Sequence, residues 1–301
     1  MQALEGLRRQ IDTAEDLHNL VRTMKSLSAA SIRHYERAAE AVQGYAGTVE
    51  LGLQAVLRRR AVRIEAAEPE GRATGVVVFG SDYGLCGRFN RAAVDRVWEY
   101  FDASGADLAA TRRIAVGVRA AARLEASGVP AEAVLRLPGS VGGVVETAYD
   151  LIARVDRWTG EGVDRVLLAH NRRRHQTLAV PTMRQLLPPD PDWLRRLRDR
   201  PWDSRSLPAF RADAERLFAG LMRQHLFVTV FRATAESLAS EHASRVASMQ
   251  AAERNVEEHV EELRASYRQR RQQSITEELM DIVAGFEALG GDPDEHPDAR
   301  A

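Results

Sequence analysis

No proline interrupts residues 209–292. Helix interiors exclude proline at a cost of about 3 kcal/mol, so so long an absence points to one long helix. Leu238, His242, Val246, Met249, Ala252, Val256, Val260, Leu263, Tyr267, Ile275, Leu279, Ile282 and Phe286 hold steps of three, four or their multiples. That spacing lays them along one helix face. Between them run polar stretches such as "EEH" and "RQRRQQ", and Arg271 stands where an apolar residue is due. A helix from about 211 to 289, at ~1.5 Å per residue, would be on the order of 120 Å long. No globular core covers that length, so the stripe needs another helix.

The N-terminal segment offers one. Residues 3–58 are also free of proline, and Leu4, Leu7, Ile11, Ala14, Leu17, Val21, Met24, Leu27, Ile32, Tyr35, Ala39, Val42, Tyr45, Val49, Leu53 and Val56 make a second stripe, with Gly44, Gly47 and Gly52 weakening its far end. The two stripes predict an antiparallel coiled coil in which the C-terminal helix overhangs. Gly290, Gly291 and Pro293 end that helix, and "DPDEHPDARA" reads as a disordered tail.

The middle has a different period. "TGVVVF" (74–79), "RRIAVGV" (112–118), "DRVLLAHN" (164–171) and "QTLAVPTMRQLL" (176–187, interrupted by Pro181) read as strands, and "RAAVDRVWEYF", "AAARLEAS" and "GGVVETAYDLIARVDRW" as helices between them. Such alternation predicts a mainly parallel, Rossmann-like α/β sheet. Residues 188–208, with five prolines, read as an extended connector. The expected fold class is α/β, a long antiparallel coiled coil with an inserted Rossmann-like domain. Its parts are an N-terminal helix (1–60), a globule (61–208), a C-terminal helix (209–290) and a tail (291–301).

Composition narrows the function. A net charge of −1 over 301 residues argues against a nucleic-acid binder that works through bulk charge. The single cysteine, Cys86, excludes an internal disulfide framework and fits a reducing compartment. No run approaches ~18 uninterrupted apolar residues, so membrane association has to come through a partner.

Chemistry-bearing motifs are sparse. The turn "FGSDYGLCGRFN" (79–90) lies where a nucleotide site would form, but it lacks both common phosphate-binding glycine patterns, and Gly84 and Gly87 read as tight-turn glycines. Cys86 has no implied histidine and reads as a buried inert thiol. Among the eight histidines only His170 and His175 approach ligand spacing, and no metal site is expected. "RRR" at 58–60 and at 172–174 read as solvated tips or contacts to an acidic partner. No catalytic residues and no cofactor are expected.

Four blocks resemble one family. "IDTAEDLHNLVRTMKSLSAASIR" is similar to the N-terminal helix of the gamma subunit of F-type rotary ATP synthases, centred on a Met-Lys pair, here Met24 and Lys25. "SDYGLCGRFN" resembles that family's Ser-Asp-x-Gly-Leu-Cys-Gly block. Ser240, Glu241, Arg245 and Met249 match its Ser-Glu-x-x-x-Arg-x-x-x-Met block, and Arg271, Gln272, Ile275, Thr276, Glu278 and Leu279 its terminal signature. The resemblance implies a non-catalytic rotor shaft. Its partners would be three alpha and three beta subunits, epsilon and a ring of c subunits. Its place would be peripheral, on the cytoplasmic side of a bacterial plasma membrane. Arg22, Met24, Lys25, Arg271, Gln272 and Thr276 would then face beta, and Ser206 and Leu207 would form the foot on the ring.

Departures from the pattern mark a divergent branch, of which an alternative rotary ATPase is one form. Ser206 and Leu207 stand where the family usually has Tyr and Glu. Ser26-Leu27 replaces Met-Val, Ser31 takes a lysine slot, and Tyr83 and Arg88 replace a basic residue and a glycine. Lys25 is the sole lysine among 42 Lys plus Arg, and reads either as a contact kept for its chemistry or as a leftover surface cation. Beside the rotor reading stand an α/β nucleotide-binding enzyme with a coiled-coil arm and a static scaffold.

Overall fold

The computed structural model describes residues 2–59, 73–174 and 178–290. In chain order the elements are α1 (Gln2–Arg59), β1 (Ala73–Phe79), α2 (Phe89–Ser104), β2 (Arg112–Val116), α3 (Val118–Ala126), β3 (Ala133–Leu135), α4 (Val141–Gly160), β4 (Val163–Arg174), β5 (Leu178–Leu187), α5 (Pro191–Asp199) and α6 (Ala214–Gly290). The chain divides at Met24/Lys25 and at Met249/Gln250 into two compact units. The expected tail, 291–301, lies outside the described residues.

In the unit Lys25–Met249 the sheet has the order β3-β2-β1-β4-β5. The first four strands are parallel, and β5 runs antiparallel to β4. Side chains alternate across β1, as the period of two requires. Val77 and Phe79 face a core shared by α4 (Val144, Leu151, Trp158) and by the long helices (Tyr35, Val230, Leu238), while Val76 and Val78 face α2 and α3. The long helices are thus one outer layer of the α/β sandwich itself. Apolar contact supplies the adhesion, at about 25 cal/mol per Å² of buried area.

The antiparallel pairing appears in each unit separately. In Lys25–Met249, the Tyr45 hydroxyl donates to Gln224 Oε1 at 2.8 Å and the Tyr35 ring stacks on His242 at 5.7 Å. In the other unit, His18 lies 3.0 Å from Glu257, and Arg264 donates to Glu15 at 2.6 Å. Partner numbers rise on one helix as they fall on the other. Farther along α6 the stripe is open: Ile275, Leu279, Ile282 and Phe286 are 48%, 57%, 58% and 77% exposed. Leu17 and Leu27, read above as part of the N-terminal stripe, are exposed and lie off the buried seam.

Two local expectations fail for identifiable reasons. The segment 188–208 contains a helix, α5, besides extended chain. Asp190 accepts from the Asp192 N–H at 2.9 Å as an N-cap, and Pro191 takes the first helical position, where its missing donor costs nothing. Leu194 and Leu197 then pack on Leu53, Leu57 and Met222. Nor does Pro181 interrupt β5. It pairs opposite Asn171 on an edge strand, where one absent donor is tolerated. The short strand β3 has no counterpart among the expected strands, being only three residues long.

Gly75 marks the tightest fit of β1 against α4. A Cβ there would sit 2.4 Å from the Trp158 ring. Gly75→Ala is expected to destabilise the chain by about 1–3 kcal/mol through overpacking, measured as a lower urea midpoint.

Candidate functional site

The residues expected to act lie in three places. On α1, Arg22 is exposed and Met24 and Lys25 are half-buried. On α6, Arg271, Gln272 and Thr276 are all exposed. The Thr276 hydroxyl donates to the Gln272 carbonyl at 2.9 Å, leaving its oxygen as an acceptor for a partner and the Gln272 amide outside that bond. Ser206 and Leu207 occupy a loop held by α1 and by Trp202. Trp202 Nε1 donates to the Ser206 carbonyl at 3.0 Å, and Arg59 to the Leu207 carbonyl at 3.3 Å. Arg58 and Arg59 are exposed, as expected of a solvated tip, and Arg58 also donates to the Arg198 carbonyl at 2.9 Å; Arg60 lies outside the described residues.

The turn at 79–90 consumes its own polar groups. The Ser81 N–H donates to Asn90 Oδ1 at 2.8 Å, and the Asn90 amide to Ser81 Oγ at 2.7 Å. Asp82 accepts from the backbone of Val118 at 3.0 Å and of Leu137 at 2.9 Å. Gly87 needs its φ of +58° for the turn, and Gly117 at +109° comes so close that a Cβ would lie 2.8 Å from the Ser81 nitrogen. The arrangement is a structural hub whose Ser81, Asp82 and Asn90 side chains tie the turn to itself and to the strand ends. Burial pushes the Cys86 thiol up, which favours the inert thiol over a thiolate nucleophile.

Helix α6 docks on this hub through charge. Arg245 donates to Glu241 Oε1 at 2.6 Å and reaches the carbonyls of Tyr83 and Gly84 at 3.5 Å each. The two side chains are 7% and 5% exposed. Burial pushes the Glu241 carboxyl up to about 7 even though Arg245 draws it down, and Asp82 adds to the rise. Burial also holds His242, stacked on Tyr35, and His225, stacked on Trp193, down at about 4, with Arg245 and Arg184 adding to the respective shifts. His170 is buried and lies 3.3 Å from Glu236, while His175 falls outside the described residues.

Sequence reading missed two groupings. Glu241 and Arg245 are four apart on the buried face, a spacing visible in the sequence, but the loop they hold is some 160 residues away. His18, Glu253 and Glu257 bring three potential ligand atoms within 4.8 Å of one another, a set able to hold a divalent cation. Glu253 and Glu257 are four apart on one face of α6, a spacing visible in the sequence, but His18 lies more than 200 residues away and joins them only in the folded chain.

The ATP synthase family model (ATP-synt) matches residues 3–289. The chain belongs to the ATP synthase gamma chain family. The gamma chain of Anaeromyxobacter sp. strain Fw109-5 is 31% identical over 308 residues, covering 96% of this chain and all of that one. That of Bdellovibrio bacteriovorus HD100 is 29% identical over 301 residues, covering 97% and 100%. In fold, the chain is similar to a chain of the Euglena gracilis mitochondrial ATP synthase OSCP/F1/c-ring structure, with a TM-score of 0.65, 16% identity and 99% of both chains covered. A chain of the Tetrahymena thermophila mitochondrial ATP synthase central stalk/c-ring structure gives 0.56 and 21%, covering 77% and 99%. As a gamma chain this protein is a non-catalytic subunit of the complex.

The shifted groups act on stability in opposite senses. Folded His225 and His242 resist protonation, so they cost stability as pH falls from about 6.5 towards 4. Folded Glu241 holds its proton, so its contribution is fully present below the ordinary carboxylate range and is lost as pH rises through about 7. Glu241→Gln lacks that dependence. The melting temperature of the variant minus that of the wild type should therefore decrease from pH 8 to pH 5, followed by circular dichroism; a constant difference would mean that Glu241 does not titrate there.

Proposed function

We propose that this gamma chain is the rotor shaft of a bacterial ATP synthase, turning inside three alpha and three beta subunits and seated with epsilon on a c-subunit ring. The observation that carries the reading is the row Ile275, Leu279, Ile282 and Phe286, exposed at the end of a 77-residue helix. An apolar row of that kind calls for a surrounding sleeve. No described helix is long and apolar enough to cross a membrane, which fits a peripheral subunit held by partners on the cytoplasmic face of the plasma membrane. Residues 1–60 and 209–290 form the shaft on this reading, and 61–208 the globule.

A shaft works on beta as a ligand works on a two-state protein. Only contacts that differ between beta conformations shift their populations. Arg22, Met24 and Lys25 on α1, and Arg271, Gln272 and Thr276 on α6, are proposed as those contacts, with Ser206 and Leu207 at the foot. The single lysine suits the task. A contact met in three positions per turn must form and then release. Arginine grips a carboxylate with two parallel bonds, whereas lysine offers a point charge. An extra ~1.4 kcal/mol in one angular well slows escape about tenfold.

The test is to purify the chain with an affinity tag from its native membranes. Recovery of alpha, beta, epsilon and c subunits with ATPase activity supports the proposal, and recovery of the chain alone contradicts it. In the same complex, Lys25→Arg should leave assembly intact and lower turnover, while the control Arg37→Lys should change neither; equal turnover in both would leave Lys25 an ordinary surface cation.

A further inference from the structure

A buried ion pair is a poor choice for stability alone, because desolvation offsets most of its attraction and apolar replacements often stabilise. Glu241 and Arg245 are nevertheless almost wholly enclosed, on a stretch of α6 whose other buried side chains are all uncharged. Apolar packing has no direction, and by itself it lets a helix slide or roll against a sheet. Hydrogen bonds to fixed carbonyls do not. Arg245 spans from Glu241 to the carbonyls of Tyr83 and Gly84, and Gly87 approaches so closely that a Cβ would lie 3.2 Å from Ser248 Oγ.

The loop is fixed just as firmly on its other side. Asp82 holds the backbone of Val118, at the start of α3, and that of Leu137, beyond β3. The Gly80 N–H donates to the Val116 carbonyl at 2.8 Å, and Ser81 is locked to Asn90. Residues 80–87 therefore carry polar ties to the strand ends on one side and to α6 on the other.

We propose that Glu241 and Arg245 are positioning residues for rotary coupling: they fasten α6 to the 80–87 loop, fixing the angle and register at which the α/β domain drives the shaft. The proposal rests on the rotor reading above. Arg245 makes the polar contacts to the loop, and Glu241 accepts from its guanidinium and orients it. Loss of the fastening lets the domain slip against the helix under load, so ATP is still hydrolysed while less rotation reaches the ring.

The experiment uses the purified complex in sealed vesicles and measures ATP hydrolysis and ATP-driven ion uptake together. Arg245→Met should retain most of the hydrolysis and lose most of the uptake per ATP, Glu241→Gln should show a smaller loss, and Arg245→Lys should recover part of what Arg245→Met loses. Should Arg245→Met fail to assemble, hydrogen exchange on the free full-length variants decides instead. The amides of residues 84–87 should then exchange about tenfold faster in Glu241→Gln, as for loss of one charge-assisted hydrogen bond, with the β1 and β4 amides unchanged. Uptake per ATP equal to wild type in Arg245→Met, or unchanged loop exchange in Glu241→Gln, overturns the proposal. A wild-type complex that neither assembles nor pumps would instead contradict the rotor reading itself.

Discussion

Burial of one apolar stripe along a 77-residue helix governs this molecule. A helix so long cannot enclose itself, and its own backbone hydrogen bonds contribute little net stability without packing. The chain supplies cover in two forms. Within Lys25–Met249, α1 and the sheet share the load, with Val230 and Leu238 in the same core as Val77 and Phe79. In the other unit a single partner helix serves, through residues such as Val21 and Val260 and through the ion pair Glu15–Arg264. For Ile275 to Phe286 the chain supplies none among its described residues.

Polar contacts then fix what apolar packing leaves free. The 80–87 loop, the Asp82 caps and the Glu241–Arg245 pair define angles, whereas the surrounding valines and leucines define only proximity. The ionisable groups drawn into this layer are held in shifted states by burial, and acid and base press on them in opposite directions.

Much of this was legible in the sequence. Missing prolines and three-four spacing located α1 and α6 to within a few residues, and the β-branched runs located four of the five strands. The family's motif blocks were also legible, but not their purpose: Ser81–Gly87 and Glu241–Arg245 meet only in the folded chain. Sequence reading fell short where the deciding contact is distant or the signal short. Five prolines hid α5, although Asp190-Pro191 is itself a helix-start signal. Leu17 and Leu27 fit the spacing yet are exposed, because a stripe read from one helix cannot show how wide its partner is.

We infer that the end of α6 is stable only inside a sleeve of other subunits. Hydrogen exchange on the full-length chain, alone and in the purified complex, tests it most directly. Amides of residues 275–286 should exchange rapidly in the free chain and become protected in the complex, while the β1 and β4 amides stay slow in both. Equal protection of 275–286 in the free chain and in the complex would contradict the account.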